Sequence, residues 1–248
     1  MAETIKVSGI VLKSSEHTVD AARLLDILTP EGRIVAVIRG VAKPKAKLAS
    51  ASQPFCFGEF VLAKKGNFYT VTDCLIIDSF FNVTYNFDCY VLASALLEIT
   101  SKVTLIGQSN IEMFSLLLNS LKCLVYEKAE PSAVTIKFLI ETLKLSGFGF
   151  DAQTCAICGQ SVKNHSQVGL IYEESGVICS KHFNDVNNIT LSQSEWGVLK
   201  NINYFSLEEI ANMKFNSRES LTTILKLMLK QFYFRTGEKV GALEKYFN

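Results

Sequence analysis

Three cysteines and one histidine stand at spacings that suit a metal ion. Two residues separate Cys155 from Cys158, and two separate Cys179 from His182 further along the chain. Ligand pairs of this kind are typical of Zn²⁺ sites in which each pair occupies one tight turn. Gly159 permits the sharp backbone turn that often follows the second cysteine. Because four protein ligands fill a tetrahedron and leave no position for water, we predict that the zinc is structural.

The other cysteines indicate a reducing environment. The chain has seven cysteines, an odd number, and no secretory signal or long apolar run is evident, so a disulfide framework is disfavoured and a cytoplasmic location is expected. Four cysteines lie inside apolar patterns, and we predict that they are small buried residues. They are Cys56, Cys74, Cys89 and Cys123.

Size and charge limit the classes of function. A chain of 248 residues with 48% hydrophobic residues is long enough for two modest domains with their own cores. Its formal net charge is +1, so no overall field attracts nucleic acid or an anionic membrane. Any charged partner must therefore be recognised by local patches.

The N-terminal part of the chain has the two-residue period of β-strands. Five short apolar blocks follow one another, with Pro30-Glu31-Gly32 and Lys64-Lys65-Gly66-Asn67 as hairpin connections. No amphipathic helix long enough to cover a sheet lies among them. Five strands of this kind predict a small closed barrel such as an OB-fold, although an SH3-like barrel has the same strand count.

A basic loop follows the third of these blocks. There is no acidic residue between Arg33 and Glu59, and five cations fall within fifteen positions. Such a loop beside a barrel is able to follow a phosphate backbone, although a solvated polar loop is the alternative. The predicted DNA-binding residues are Arg33, Arg39, Lys43, Lys45 and Lys47.

Aromatic residues of the same region are candidates for stacking on bases. They are Phe55, Phe57, Phe68 and Tyr69. A core position is the favoured interpretation, because strand alternation places Tyr69 on one face with Val71, Leu75 and Ile77.

From Asn82 onwards the apolar period changes to 3.6 residues. Three apolar stripes predict three helices that pack on one another, the third beginning at Pro131 and ending near Gly147. Capping sequences predict three further helix starts after the cysteine-rich segment. They are Ser192-x-x-Glu195, Ser206-x-x-Glu209 and Asn216-x-x-Glu219.

No catalytic motif is evident in the sequence. It has no Gly-rich phosphate loop, no Gly-x-Ser-x-Gly, no His-Glu-x-x-His and no deaminase His-x-Glu. One of the three histidines is assigned to the metal, and the carboxylates show no recognisable pairing. We therefore predict a binding protein and not an enzyme.

Several segments, taken in order, resemble the RecO family of bacterial DNA repair proteins. Near the N-terminus these are Gly9-Ile10-Val11-Leu12-Lys13 and the stretch from Leu28 through Ile34 to Arg39 and Lys45. Phe138-Leu139 with Leu143 and Gly147-Phe148, running into Cys155-x-x-Cys158-Gly159, continues the resemblance. Ser217-Arg218-Glu219-Ser220-Leu221 completes it, so that it covers nearly the whole chain.

The resemblance implies a recombination mediator. Such a protein binds single- and double-stranded DNA, anneals complementary strands and works with RecR to place RecA on DNA covered by single-strand binding protein. It also implies an N-terminal OB-fold, a helical domain and a zinc-binding insertion, and a location in the cytoplasm, at the nucleoid during repair. The family's zinc ligands are often four cysteines, whereas here His182 replaces the last one.

The same resemblance implies recognition of the acidic, hydrophobic C-terminal tail of single-strand binding protein. Such a tail needs an apolar pocket with cations at its rim. The last capped helix is the predicted place. Its candidate residues are Leu221, Leu225, Lys226, Lys230 and Phe232. Lys226, Lys230 and Arg235 are also a second, weaker candidate for a basic patch, although lysines on an exposed helix face usually only keep it soluble.

These observations together predict an α+β protein of two domains. An OB barrel is expected at 1–80 and a helical domain at 81–248, with a zinc knuckle at 150–185 between its helices. The alternative function is a zinc-stabilised protein–protein adaptor that does not bind DNA directly and whose lysines only keep the surface solvated.

Overall fold

Five N-terminal strands form a closed barrel. The structure is a computed structural model and describes residues 3–16, 22–41, 48–66 and 68–247. The barrel strands are β1 (Glu3–Glu16), β2 (Arg23–Thr29), β3 (Gly32–Ile38), β4 (Phe57–Lys65) and β5 (Phe68–Asp78). Their order is β1-β2-β3-β5-β4, all pairs being antiparallel except β3 with β5. This topology confirms the predicted OB-fold and excludes the SH3-like alternative.

The length of β1 allows the barrel to close. This strand has 14 residues and pairs with β2 through its C-terminal half and with β4 through its N-terminal half. A register shift between Val11 and Lys13 bends it, as bulges do at barrel corners. The inward side chains, among them Leu25, Ile27 and Phe60, are fully buried and fill the interior.

A second register shift changes which side chains of β5 face the core. Leu62 pairs with Val71 but Val61 pairs with Asp73, so Thr72 is an extra residue. Beyond it the inward positions become Cys74 and Ile76, while Leu75 and Ile77 are 65% and 54% exposed. The prediction that these two share the core face with Tyr69 is therefore wrong, although Tyr69 itself packs partly against the core.

The helices begin and end close to the predicted positions. They are α1 (Phe87–Val103), α2 (Ile111–Val125), α3 (Pro131–Leu145), α4 (Gln193–Tyr204), α5 (Leu207–Ala211), α6 (Arg218–Thr236) and α7 (Gly241–Phe247). Pro131 is the first residue of α3, and Ser192 and Ser206 form full capping boxes at α4 and α5. The cap of α6 is Ser217 and not Asn216, because the Ser217 hydroxyl accepts the backbone N–H of Ser220.

A small sheet that the sequence did not predict lies between α3 and α4. It consists of β6 (Asp151–Cys155), β7 (Val168–Ile171), β8 (Gly176–Cys179) and β9 (Ile189–Leu191), in the order β6-β8-β7-β9. Strands of three to five residues are too short to show a period in the sequence. This sheet positions the candidate metal ligands.

The chain divides into two compact units. One contains Met1–Tyr90 and Leu96–Leu121, and the other contains Val91–Ala95 and Lys122–Asn248. The expected domain boundary near residue 80 coincides with the end of the barrel strands, and the assignment of the first two helices to the second domain stays a prediction. In the described part of the chain, no helix combines the length and the apolar character needed to cross a bilayer.

Candidate functional site

The three cysteines and the histidine of the predicted metal site come together in the structure. The ligand atoms of Cys155, Cys158, Cys179 and His182 all lie within 4.8 Å of one another. A tetrahedral Zn²⁺ with Zn–S bonds of about 2.3 Å separates its sulfurs by about 3.7 Å, so the cluster is close to the size that such an ion requires. These four residues form a Cys₃His set that is able to hold a metal ion.

Strand pairing brings the two halves of the metal site together. Cys155 ends β6 and lies beside Val177 of the parallel strand β8, whose last residue is Cys179. A 3₁₀ turn at Ser180–His182 then carries the histidine back to the cluster. On the other side, Gly159 has φ +69° and donates its N–H to the Cys155 carbonyl at 2.8 Å, which closes the turn around Cys158.

A carboxylate fixes the imidazole of His182. Nδ1 of this ring lies 2.6 Å from the Asp185 carboxylate. Carboxylate contacts of this type orient metal-bound histidines and select the tautomer. With Nδ1 engaged, Nε2 is the nitrogen left to bind an ion.

Backbone N–H groups favour the thiolate at Cys155. Burial raises the pKa of this thiol, but hydrogen bonds from the backbone of Cys158, Cys179 and Ile157 outweigh it and lower the pKa to about 7. Burial raises the pKa of Cys179. Because metals bind thiolates and not thiols, the amide donors around Cys155 prepare the cluster for a cation.

Three of the four remaining cysteines are buried, as the sequence predicted, whereas Cys74 is not fully buried. Cys56, Cys89 and Cys123 are buried, and burial raises the pKa of Cys89. Burial and the nearby Glu127 raise the pKa of Cys123 to about 12. Cys74 is half-buried and its thiol contacts that of Cys56.

Arg33, one of the predicted DNA-binding residues, is engaged within its own unit. Its Nε lies 3.2 Å from an Asp26 carboxylate oxygen, and Nη1 donates to the carbonyl and the hydroxyl of Ser101. The side chain is 15% exposed. Its guanidinium therefore holds β2, β3 and the end of α1 together in this structure.

The rest of the predicted basic loop begins at an exposed residue. Arg39 follows β3 directly and is exposed, as is Gly40. Lys43, Lys45 and Lys47 lie outside the described residues. Their assignment as phosphate contacts stays a prediction.

A second basic segment of the barrel was not singled out in the sequence. Lys64 and Lys65 end β4 in the hairpin to β5, and Phe68 beyond the turn is 78% exposed. The Lys64 ammonium lies 5.8 Å from the centre of the Tyr69 ring. In OB-folds the loop between strands four and five commonly contacts nucleic acid. The sequence did contain a signal for this segment. Lys64 and Lys65 lie shortly before Phe68, in the connection between the fourth and fifth predicted strands.

The candidate partner residues on α6 do not line an open pocket. Leu221, Leu225 and Phe232 are at most 2% exposed and belong to the core of their unit. Lys226 and Lys230 are exposed on the other face. The predicted pocket on this helix is therefore corrected, because the apolar side chains that were to line it pack inward, away from the exposed Lys226 and Lys230.

Arg235 also has a structural position. Its guanidinium donates to the Ser175 hydroxyl at 2.7 Å and to the Glu173 carbonyl, and it lies over the ring of Phe148 at 5.7 Å. It thereby fastens the turn between β7 and β8 to α6.

Two family models cover most of the chain. "Recombination protein O N terminal" matches residues 1–80, and "Recombination protein O C terminal" matches residues 85–239. A DNA repair protein RecO of Acetivibrio thermocellus is 30% identical over 238 residues, which cover 95% of this chain and 92% of the relative. A second RecO, from Caldicellulosiruptor saccharolyticus, is 29% identical over 234 residues, covering 92% and 94% respectively.

Proposed function

The chain belongs to the RecO family of DNA repair proteins, and from this membership we propose that it acts as a recombination mediator. In this role it binds single- and double-stranded DNA and anneals complementary strands. With RecR it helps to load RecA onto DNA covered by single-strand binding protein. The proposal rests on one combined observation. The N-terminal residues form a closed OB barrel, and the two RecO family models match both this barrel and the C-terminal part of the chain.

The barrel supports a DNA-binding role through its basic connections. Arg39 with Lys43, Lys45 and Lys47 supplies cations after the third strand, and Lys64 and Lys65 supply two more at the β4–β5 hairpin. Since phosphate contacts dominate affinity for nucleic acid, these residues are the proposed anchors of the backbone. Phe68, largely exposed beside the hairpin, offers a ring on which a base stacks.

The proposed ion in the Cys₃His cluster is Zn²⁺, and its role is structural. Soft thiolates with one imidazole suit zinc. Four protein ligands close the coordination shell, so the ion supplies folding free energy and no position for water. It would fasten β6 to β8 and the turn around Cys158 to both.

RecR and single-strand binding protein are the proposed protein partners, with RecA affected indirectly. In this proposal the protein acts by binding DNA and its protein partners, with no catalytic step. Binding to DNA would place it at the nucleoid during repair. Leu221, Leu225 and Phe232 are core residues, so we do not assign the tail of single-strand binding protein to these residues.

Salt-dependent DNA binding tests the proposed function. Fluorescence anisotropy of a labelled single strand, titrated with the full-length protein, should show binding at low salt that weakens steadily as salt is added. The same protein should speed the pairing of complementary strands. A zinc-stabilised adaptor would give no binding even at the lowest salt, and that result would reject the mediator role.

A further inference from the structure

We call residues 151–191, which contain β6 to β9 and the Cys₃His cluster, the metal module. A cleft of about 290 Å³ lies beside it, near the lower limit of small-ligand pockets at roughly 300 Å³. One wall is the C-terminal half of α4, with Lys200, Asn201 and Tyr204. Gln153 and Lys163 contribute to the opposite wall. Every lining residue belongs to the second compact unit.

The opposite wall is a hydrogen-bonded hairpin that also carries two of the candidate metal ligands. Thr154 pairs with Ser161, and Val162 donates its N–H to the Gln153 carbonyl at 2.9 Å. This hairpin leads directly into Cys155 and Cys158. A hydrogen bond holds the α4 wall in place: the indole of the buried Trp196 donates to the Ala152 carbonyl at 3.0 Å.

The cleft is cationic. Among the described residues that line it, two are lysines and none is acidic. The Lys200 ammonium lies 4.9 Å from the centre of the Trp196 ring, a cation–π contact that keeps its charge at the cleft. Two ammonium groups without a carboxylate favour an anionic ligand.

The cleft also offers an exposed aromatic ring. Tyr204 is 67% exposed and meets the half-buried Phe205 edge-on, with ring centres 5.1 Å apart. The edge contact leaves a face of the tyrosine ring for stacking. Asn201 and Gln153 add amide groups that donate and accept hydrogen bonds.

We propose that this cleft binds one unstacked nucleotide of single-stranded DNA. The base stacks on Tyr204, the amides contact its edge, and Lys163 and Lys200 pair with the flanking phosphates. The inference rests on the proposed function and adds to the barrel a second strand contact next to the metal module. An acidic peptide is disfavoured, because the Lys200 ammonium lies over the Trp196 ring, and amides and hydroxyls make up much of the remaining lining.

Stacking is tested with a labelled oligothymidylate and a matched strand of abasic sugars. The full-length protein should bind the strand with bases more tightly than the abasic one. Tyr204→Leu should weaken binding of oligothymidylate about fivefold or more and leave the abasic strand unchanged. Exposed Tyr126→Leu, in the same unit but outside the cleft, is the matched control and should have no effect.

The phosphate contacts are tested by the salt dependence of binding. Lys163→Ala with Lys200→Ala should reduce the log–log slope for single strands by roughly 1.4, about 0.7 for each phosphate that is no longer neutralised. The exposed Lys214→Ala is the control and should leave the slope unchanged. Thermal melting of each variant verifies that it is folded.

Three outcomes overturn the proposal in distinguishable ways. If the unaltered protein binds neither strand at low salt, both this inference and the mediator role fail. If it binds DNA but the cleft variants match their controls, only the cleft assignment fails. If the same variants lose a labelled acidic peptide and keep full affinity for DNA, the cleft is a peptide site.

Discussion

At the residue scale, local spacing predicted the metal ligands better than it predicted their surroundings. Two residues between ligands are enough to bring each pair to one ion, so Cys155 and Cys158 were evident from the sequence alone. That Asp185 contacts His182, and that amides around Cys155 favour its thiolate, depend on the turns of the folded chain. Neither feature has a signature that spacing reveals.

The first prediction concerns removal of a metal ligand. Cys155→Ser or Cys179→Ser should lower both metal content and thermal stability, because a closed zinc site contributes folding free energy. Each kcal/mol lost lowers Tm by about 2–4 °C in a protein of this size. Elemental analysis and calorimetry measure the two effects, and buried Cys89→Ala should reduce stability without loss of metal. A full metal content in both serine variants would reject the ligand assignment.

For Arg33, in contrast, the position in the sequence did not reveal what the side chain contacts. It stands among the cations of the basic loop, yet its guanidinium is engaged by Asp26 and by Ser101, which is 68 residues away in the sequence. Burial raises the pKa of Asp26, and the charges of Arg33 and Lys13 only partly offset it. The pair is therefore a source of pH-dependent stability.

Removal of the Asp26 carboxylate should reveal this dependence. Below the pKa of the unfolded state, the Asp26 carboxyl is protonated in both the folded and the unfolded state and does not lower the free energy of unfolding. As the pH rises through the higher pKa of the folded state, a buried carboxyl must ionise and stability is lost. The free energy of unfolding of Asp26→Asn, minus that of the unaltered protein, should thus increase between about pH 4 and about pH 7. Urea unfolding at both values measures it, and a constant difference contradicts the prediction.

At the element scale, the apolar periods together with turn and capping residues predicted where the long strands and helices lie. Inside β5, however, the two-residue alternation of side chains did not predict which residues face the core. The five barrel strands and the first three helices have enough residues to show their period. The extra residue Thr72 reverses the faces of β5 beyond it, and a bulge of this kind leaves no mark in the apolar pattern. The strands of the metal module are too short for a period to be recognised.

The β2–β3 hairpin combines a left-handed backbone with a close approach. Gly32 has φ +129°, and a Cβ added there would lie 2.8 Å from the backbone of Gln108. Gly66 in the next hairpin has φ +60° and open space around it. The two glycines therefore differ in what a methyl group would meet.

This contrast gives a matched pair of variants. Gly66→Ala should cost about 1 kcal/mol of backbone strain. Gly32→Ala should cost about 2 kcal/mol more, because the α1–α2 connection must also move. Chemical denaturation of both variants measures the difference. Equal losses would show that the Gln108 backbone yields easily.

At the scale of the whole molecule, a net charge of +1 leaves DNA affinity to local patches. Composition therefore predicted two domains and no general attraction to nucleic acid, and the order of short motifs predicted the family. The division of α1 and α2 between the two compact units depends on contacts that no linear pattern records.

The last prediction tests whether the basic loop after β3 contributes to DNA affinity. Neutralisation of Lys43, Lys45 and Lys47 together should lower single-strand affinity and reduce the salt slope by roughly 0.7 for each phosphate that the loop no longer binds. Preference among base sequences should hardly change, since phosphate contacts do not discriminate bases. Anisotropy at several salt concentrations measures both quantities, with Lys64→Ala and Lys65→Ala as a parallel variant. An unchanged slope in the triple variant would move the main anchor to the β4–β5 hairpin or to the exposed lysines of α6.

The hydrogen bond from Trp196 to Ala152 gives this protein an intrinsic optical reporter. Trp196 is the only tryptophan in the chain, and the strand that receives its N–H runs into Cys155 three residues later. Its fluorescence emission thus originates from one position, between the helix and the metal module. A chelator that loosens the module would expose the indole to water and shift the emission to longer wavelength, while unfolding confined to the barrel would leave the spectrum unchanged.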